Sequence, residues 1–169
     1  MDKILLKQAT VIIGCKFYVD DAEKHNAFTL KSASPFVVLD RFIGSIIGVP
    51  FTVNISESNT NDQLIVKKKL GLIFEKYEAL RGHATIATIK RGKKMMSPQI
   101  DIHSIYGDFT IQSNVMARTF EIEKDGSIVA AIKKVTFSLK DAYEISNYSF
   151  EDIPLLIGIA FTLDNMFHS

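Results

Sequence analysis

The sequence has little of what several common classes of protein require. It contains a single cysteine, Cys15, so no disulfide can form within the chain, which is usual in a reducing compartment. Cys15 lies in an apolar run, where we interpret it as a small core residue rather than a nucleophile. The formal net charge is only +1, which favours neither a nucleic-acid binder nor an acidic tail. We therefore expect residues 1–169 to form one globular, cytoplasmic domain that does not bind nucleic acid.

The motifs of common enzymes and cofactor sites are also missing. There is no G-x-S-x-G sequence, no P-loop and no G-x-G-x-x-G sequence. The four histidines have no spacing that suggests a shared metal site, and three of them fall near predicted turns or strand ends. We predict that the protein is not an enzyme and that it has no catalytic residue, no cofactor and no metal.

The longest apolar segment is at the C-terminus, at residues 152–167, and it predicts a helix. Asp152 is a suitable N-cap, and Pro154 is tolerated in a first helical turn. The segment is apolar on every side, so it is either buried in protein or inserted in a membrane. Its helical length would be about 22 Å, which is short of the roughly 30 Å hydrocarbon core of a bilayer. We predict a helix enclosed by the rest of the chain, with no transmembrane span.

The rest of the chain contains an internal repeat. An aliphatic residue followed by Lys or Gln recurs at intervals of 24, 36, 23, 22 and 21 residues. The Lys or Gln positions of the six units are 7, 31, 67, 90, 112 and 133. The one long interval contains residues 43–50, which we interpret as an inserted loop or bent strand.

Each repeat unit is interpreted as two strands joined by a turn. Asp125-Gly126 is a strong hairpin signal between two strand-like segments, and Arg81-Gly82 has a similar place. Six such units give about twelve antiparallel strands, which favours a closed barrel or a sandwich. A closed antiparallel barrel of about twelve strands around the C-terminal helix would also enclose that helix. Asp164 would then lie at the barrel mouth beside water or a backbone donor, and an enzyme built around Asp164 is the alternative.

Several segments resemble the LURP-one-related family of the tubby C-terminal-like superfamily, which also includes the phospholipid scramblases. The segments that carry the resemblance are Phe28–Ser32 and its copy Phe109–Ser113, Gly107–Phe109, Val129–Lys134, Asp141–Ile145 and Ile159–Asp164. The resemblance covers essentially the whole chain and implies a twelve-stranded barrel around a central hydrophobic helix. Tubby proteins bind phosphoinositides and scramblases are membrane-associated, so the resemblance also implies a role at phospholipid surfaces.

The charge is unevenly distributed along the chain. Residues 60–94 have nine Lys or Arg against three acids, a local charge of +6, and the remainder carries −5. If Val66 and Ile89 point inward, Lys67 and Lys90 point outward on neighbouring hairpins. We predict an anionic-ligand site formed by Lys67, Lys69, Lys90, Arg91, Lys93 and Lys94.

The predicted function is that of a non-enzymatic binding module, peripheral at an anionic, phosphoinositide-type membrane surface or bound to a partner protein. The alternative is a scramblase-like protein whose C-terminal helix contacts lipid. Outward lysines that only keep the strands soluble and protect sheet edges would look the same in the sequence.

Overall fold

The computed structural model describes residues 2–9, 16–21, 28–32, 50–58, 60–69, 75–92, 99–114, 119–137 and 140–168. These ranges contain twelve β-strands and one helix, α1, at Ile153–His168. The strands are Asp2–Ala9 (β1), Lys16–Asp21 (β2), Phe28–Ser32 (β3), Thr52–Glu57 (β4), Gln63–Lys69 (β5), Lys76–Arg81 (β6), Ala84–Arg91 (β7), Ile100–Ser104 (β8), Gly107–Asn114 (β9), Thr119–Lys124 (β10), Ser127–Phe137 (β11) and Lys140–Asn147 (β12). The prediction of a mainly β chain with one C-terminal helix is confirmed.

The strands form one antiparallel sheet in which neighbours in sequence are neighbours in space. The first strand, β1, pairs with β2 on one side and with β12 on the other, so the order of pairing returns to its start and the sheet closes as a barrel. Each of the strands in the described ranges therefore has two partners, and none of them is an open edge. Cys15, and the inserted segment at 43–50 apart from Pro50, lie outside the described residues.

One of the two predicted hairpin turns lies where its sequence predicts, and the other is shifted by one residue. At the β10–β11 turn, Asp125 and Gly126 both have positive φ angles, 51° and 76°, as a two-residue turn of type I′ requires. At the β6–β7 turn Gly82 has a φ of 61°, but Arg81 is the last residue of β6, so the turn itself is Gly82-His83.

The barrel is filled by the helix. Every residue of α1 from Leu155 to Leu163 is buried, and the inward residues of the strands pack around it in one apolar core. The helix comes closest to β4, β5 and β6. At that contact the helix has Gly158, and a Cβ there would lie only 3.0 Å from Val66 Cγ2. The absence of a side chain at Gly158 lets the helix approach the barrel wall.

Both ends of the helix have polar partners, and they define the two ends of the barrel. At the turn end, which carries the β6–β7, β8–β9 and β10–β11 turns, Asp152 Oδ1 accepts a hydrogen bond from the Leu155 N–H at 2.9 Å, as predicted for an N-cap. At the far end, where β5 ends at Lys69 and β6 begins at Lys76, α1 finishes at His168, one residue beyond the predicted limit.

Candidate functional site

The alternation of side chains along β5 separates its lysines. Leu64 and Val66 are fully buried, which fixes the parity of the strand and turns Lys67 and Lys69 to the outside. The same rule applies on β7, where Ile89 is buried and Lys90 is exposed. The predicted outward direction of Lys67 and Lys90 is therefore confirmed.

Three lysines lie side by side across neighbouring strands. The register of β5, β6 and β7 places Lys69 opposite Lys76, and Lys76 opposite Lys90. Residues directly opposite each other in an antiparallel pair have Cβ atoms about 5 Å apart, so the row spans about 10 Å. Together with Lys67 these residues form what we call the outer basic face: Lys67, Lys69, Lys76 and Lys90. Lys76 was not among the predicted site residues, although its outward direction follows from the inward Tyr77 that comes after it.

One carboxylate lies within the outer basic face. Glu78 Oε1 accepts from Lys76 Nζ at 2.9 Å, and Glu78 Oε2 accepts from Lys69 Nζ at 3.0 Å. Glu78 is also opposite Lys67 in the β5–β6 register. The hydrogen bonds from Lys76 and then Lys69 lower the pKa of the Glu78 carboxyl below its usual value. The face thus contains a permanent counter-ion for two of its four lysines.

The remaining predicted site residues do not join this face. Arg91 has the opposite parity to Lys90, and its guanidinium lies over the Phe167 ring, 5.1 Å from the centroid, at the far end of the helix. Arg91 therefore does not share a surface with Lys90, because successive residues of a strand point to opposite faces. Lys93 and Lys94 lie outside the described residues.

The middle lysine of β5 points into the barrel. Lys68 is 5% exposed, and its ammonium lies 3.0 Å from Glu75 Oε1 and donates to Asn165 Oδ1, also at 3.0 Å. The Tyr77 hydroxyl donates to the same Asn165 oxygen at 2.6 Å. Lys68 therefore ties the barrel wall to the C-terminal end of α1, where the helix dipole favours a cation.

The repeat reproduces this arrangement on β11 and β12. Lys134 is opposite Tyr143 in register, as Lys68 is opposite Tyr77, and each ammonium lies about 6 Å from its tyrosine ring, at 6.0 and 5.8 Å from the centroids. The Tyr143 hydroxyl donates to Asp164 Oδ1 at 2.5 Å. Asp164 was expected to meet water or a backbone donor, and the Tyr143 side-chain hydroxyl is one of its partners.

One of three comparisons with known proteins gave a match. The model of the LURP-one-related family matches residues 3–164, from the first strand to the far end of the central helix. The chain belongs to the LURP-one-related family. A search of curated proteins gave no match, and neither did a search of solved structures.

A second charged cluster of this LURP-one-related barrel lies at the turn end. The buried Asp152 carboxylate, besides capping the helix, accepts from the Tyr106 hydroxyl at 2.7 Å and pairs with Arg81 Nη1 at 3.1 Å. Arg81 also pairs with Asp62 at 2.9 Å. The hydrogen bond to Asp152 and burial raise the pKa of Tyr106. These contacts all serve to anchor the start of the helix in the barrel wall.

The described ranges offer no other site of obvious chemistry. They contain no group of three or more His, Cys, Asp or Glu residues arranged to hold a metal ion. Among the described helical residues, none form a helix long and apolar enough to cross a bilayer. The outer basic face is therefore the candidate site.

Proposed function

We propose that this LURP-one-related protein is a non-enzymatic binding domain of the tubby C-terminal-like type, which associates peripherally with anionic, phosphoinositide-type membrane surfaces in the cytoplasm. The observation that carries the proposal is the row of Lys69, Lys76 and Lys90 on three adjacent strands. Because the three lysines are neighbours across paired strands, they can present their ammonium groups to a membrane together, which a scattered set of lysines cannot do.

The charge of the face is sufficient for reversible attraction. Each basic residue close to an anionic leaflet contributes about 1 kcal/mol of binding, and the contribution falls off within a Debye length. Two acids reduce the total: Glu78 inside the face, and Asp101, which is opposite Lys90 on β8. Four lysines against two carboxylates predict weak binding that depends strongly on salt and on the charge of the lipid.

The scramblase-like alternative, in which the C-terminal helix contacts lipid, receives less support. All residues from Leu155 to Leu163 are buried inside the barrel. Contact between this helix and lipid would need the sheet to open, with loss of the apolar core. No comparable rearrangement is needed for binding through the outer basic face.

Vesicle co-sedimentation tests the proposal. The protein is mixed with vesicles of phosphatidylcholine alone, or with added phosphatidylserine or phosphoinositide, over a series of salt concentrations. We expect binding only to the anionic vesicles, and weaker binding as salt increases. Replacing Lys69, Lys76 and Lys90 by Gln should then reduce affinity by about a hundredfold, at about fivefold for each residue.

A matched triple variant controls for net charge. Lys3, Lys31 and Lys133 are exposed on other strands, and their replacement by Gln removes the same charge from elsewhere on the barrel. This variant should lose much less affinity. The proposal would be overturned if the two triple variants lost equal affinity. It would also be overturned if the unmodified protein bound no vesicle, and an acidic protein partner would then be the next candidate for the outer basic face.

A further inference from the structure

The large hydrophobic side chains that are exposed in the described ranges all lie at the turn end of the barrel. They are Ile105, which is 65% exposed, Ile128, which is 47% exposed, and Tyr148, which is 50% exposed. Ile105 is in the β8–β9 turn, Ile128 is the second residue of β11, and Tyr148 directly follows β12. Scattered exposed hydrophobic residues are ordinary, but residues that share one place in a fold mark a surface with a role.

A β-bulge turns Ile128 to the outside of the barrel. Ala130 and Ile128 are opposite consecutive residues of β10, so Val129 is an extra residue in β11. Without the bulge, alternation from the buried Ala130 would point Ile128 into the barrel. A bulge re-aims a side chain in this way, often beside a functional site.

The same bulge holds Tyr148 beside Ile128. The Val129 C=O accepts hydrogen bonds from the N–H groups of Tyr148 and Ser149, both at 3.0 Å. The Asn147 side chain closes this turn, since it accepts from the Phe150 N–H at 2.8 Å and donates to the Phe150 C=O at 3.1 Å. The backbone that presents Tyr148 is therefore fixed before any partner binds, which lowers the entropy cost of binding.

We call Ile128 and Tyr148 the bulge patch, and the repeat provides an internal comparison for it. Ile86 is the extra residue of a second bulge, in β7, and the Ile86 C=O accepts the N–H of Ile105 at 2.9 Å. The two bulges are 43 residues apart in sequence, and so are Thr85 and Ile128. Thr85 therefore takes the place of Ile128 at the second bulge, where Ile105 is exposed without such an apolar neighbour.

The rim of the bulge patch is acidic. Glu123 is directly opposite Ile128 across the β10–β11 pair. Asp125 is exposed in the turn that precedes Ile128, and Glu151 is exposed three residues after Tyr148. These three carboxylates would be repelled by an anionic membrane and would attract a basic partner.

The nearby lysines are directed elsewhere. Lys124, between two of the rim acids, lies with its ammonium 5.4 Å from the centroid of the Phe109 ring. Lys3, at the start of β1, pairs with Glu144 at 3.3 Å. The surroundings of the bulge patch therefore keep a negative charge.

We propose that the bulge patch binds a partner protein through a segment in which apolar side chains are flanked by lysine or arginine. Tyrosine is enriched among the residues that dominate the energy of protein interfaces, and complementary rim charges speed the encounter and select the partner. The bulge patch lies at the opposite end of the barrel from Lys69 and Lys76 of the outer basic face. The two surfaces are separate, and this proposal does not depend on the proposed function.

Selection from a random peptide library displayed on phage tests the proposal. The immobilised protein is the bait, after removal of peptides that bind the double variant Ile128→Ser/Tyr148→Ser. The matched control is Ile105→Ser, which removes an exposed isoleucine from the second bulge. Thermal unfolding checks that the variants are folded, and Tyr148→Ser alone, outside the strands, replaces the double variant if that one unfolds.

The selected peptides are expected to contain aromatic or aliphatic residues and a net positive charge. As synthetic peptides they should bind the unmodified protein and Ile105→Ser equally. Binding to the double variant should be about tenfold weaker or more, the effect of losing two interface anchors. Glu123→Gln/Glu151→Gln should also weaken binding, and the weakening should be largest at low salt.

Four results would overturn the proposal. The first is no enrichment of peptides, and the second is enrichment of acidic or neutral peptides, or of peptides that bind the double variant equally well. The third is a loss of binding to anionic vesicles in the double variant, which would assign the bulge patch to lipid. The fourth is self-association of the unmodified protein in analytical ultracentrifugation that the double variant lacks, which would assign the bulge patch to a second copy of this chain.

Discussion

The two faces of β5 place identical residues in opposite environments. Lys67 and Lys69 point to solvent, and Lys69 shares Glu78 with Lys76. Lys68, between them, is buried and bound to Glu75 and to Asn165 of the helix. The same separation occurs on β11, where Lys133 is exposed and Lys134 is buried. The role of a lysine in this protein depends on strand parity rather than on residue type.

The comparison also explains the repeated unit. In the units at Lys67, Lys90 and Lys133, the aliphatic residue points inward, the Lys points outward, and the residue after the Lys points inward near the far end of the helix. In three units this last residue is Lys68, Arg91 or Lys134, and each lies over an aromatic ring. The repeat therefore provides both an outer surface of lysines and an inner set of cations around the helix C-terminus.

The largest effect on the inner face is expected from Gly158→Leu. A side chain there would press against Val66, Ile55 and Leu64, the nearest atoms to the ideal Cβ position, at 3.0, 3.3 and 3.4 Å. Overpacking of this kind costs about 2 to 3 kcal/mol of unfolding free energy. Chemical denaturation measures this loss of unfolding free energy.

Gly158→Ala is the matched control for that change. The added methyl group crowds Val66, but Ala is favoured over Gly in a helix by about 1 kcal/mol, so the unfolding free energy should change by less than about 1 kcal/mol. Equal stabilities of the Leu and Ala variants would show that the helix is not held tightly against β4 and β5.

A smaller effect separates Lys68 from Lys67. Lys68→Ala leaves Glu75 and Asn165 without their buried partner, and we expect a loss of about 1 to 2 kcal/mol in unfolding free energy. Lys67→Ala removes an outward side chain of the same strand and should change stability by about 0.5 kcal/mol or less. The reverse order of the two losses in urea denaturation would contradict the parity assignment of β5.

The smallest effect concerns pH at the turn end of the helix. The Tyr106 pKa is raised from the ordinary value of 10.0, chiefly by its hydrogen bond to Asp152. A raised pKa means that the folded state holds the proton more tightly, so this stabilisation is complete below about pH 10 and is lost as pH rises through the folded pKa. Tyr106→Phe should lose less stability than the unmodified protein between neutral and strongly alkaline pH.

Tyr148→Phe, at an exposed tyrosine, is the control for this change. Identical dependence of stability on alkaline pH in all three proteins would contradict the Tyr106–Asp152 coupling.

The predictable parts of the molecule are those that depend on local pattern. The helix, its Asp152 cap, the Asp125-Gly126 turn and the outward direction of Lys67 and Lys90 all follow from residue preferences and from alternation along a strand. The partners of Asp164, the burial of Lys68 and the inward position of Arg91 were missed. The alternation that starts from the inward Val66 and Ile89 would have placed Lys68 and Arg91 inward as well. A run of three lysines or a Lys-Arg pair is, however, normally interpreted as exposed to solvent.

The sequence by itself determined the elements found in the described residues: strands in repeated pairs, tight turns, and a C-terminal helix too apolar to be left exposed. These depend on residues close together in the chain. Only the tertiary structure decided which charges meet. The ion pairs of Glu78, and the contacts of Lys68 and Tyr77 with the end of a helix almost a hundred residues away, depend on strand register and on closure of the sheet around the helix. Register fixes which residues face each other across strands, and a periodic pattern alone cannot specify it.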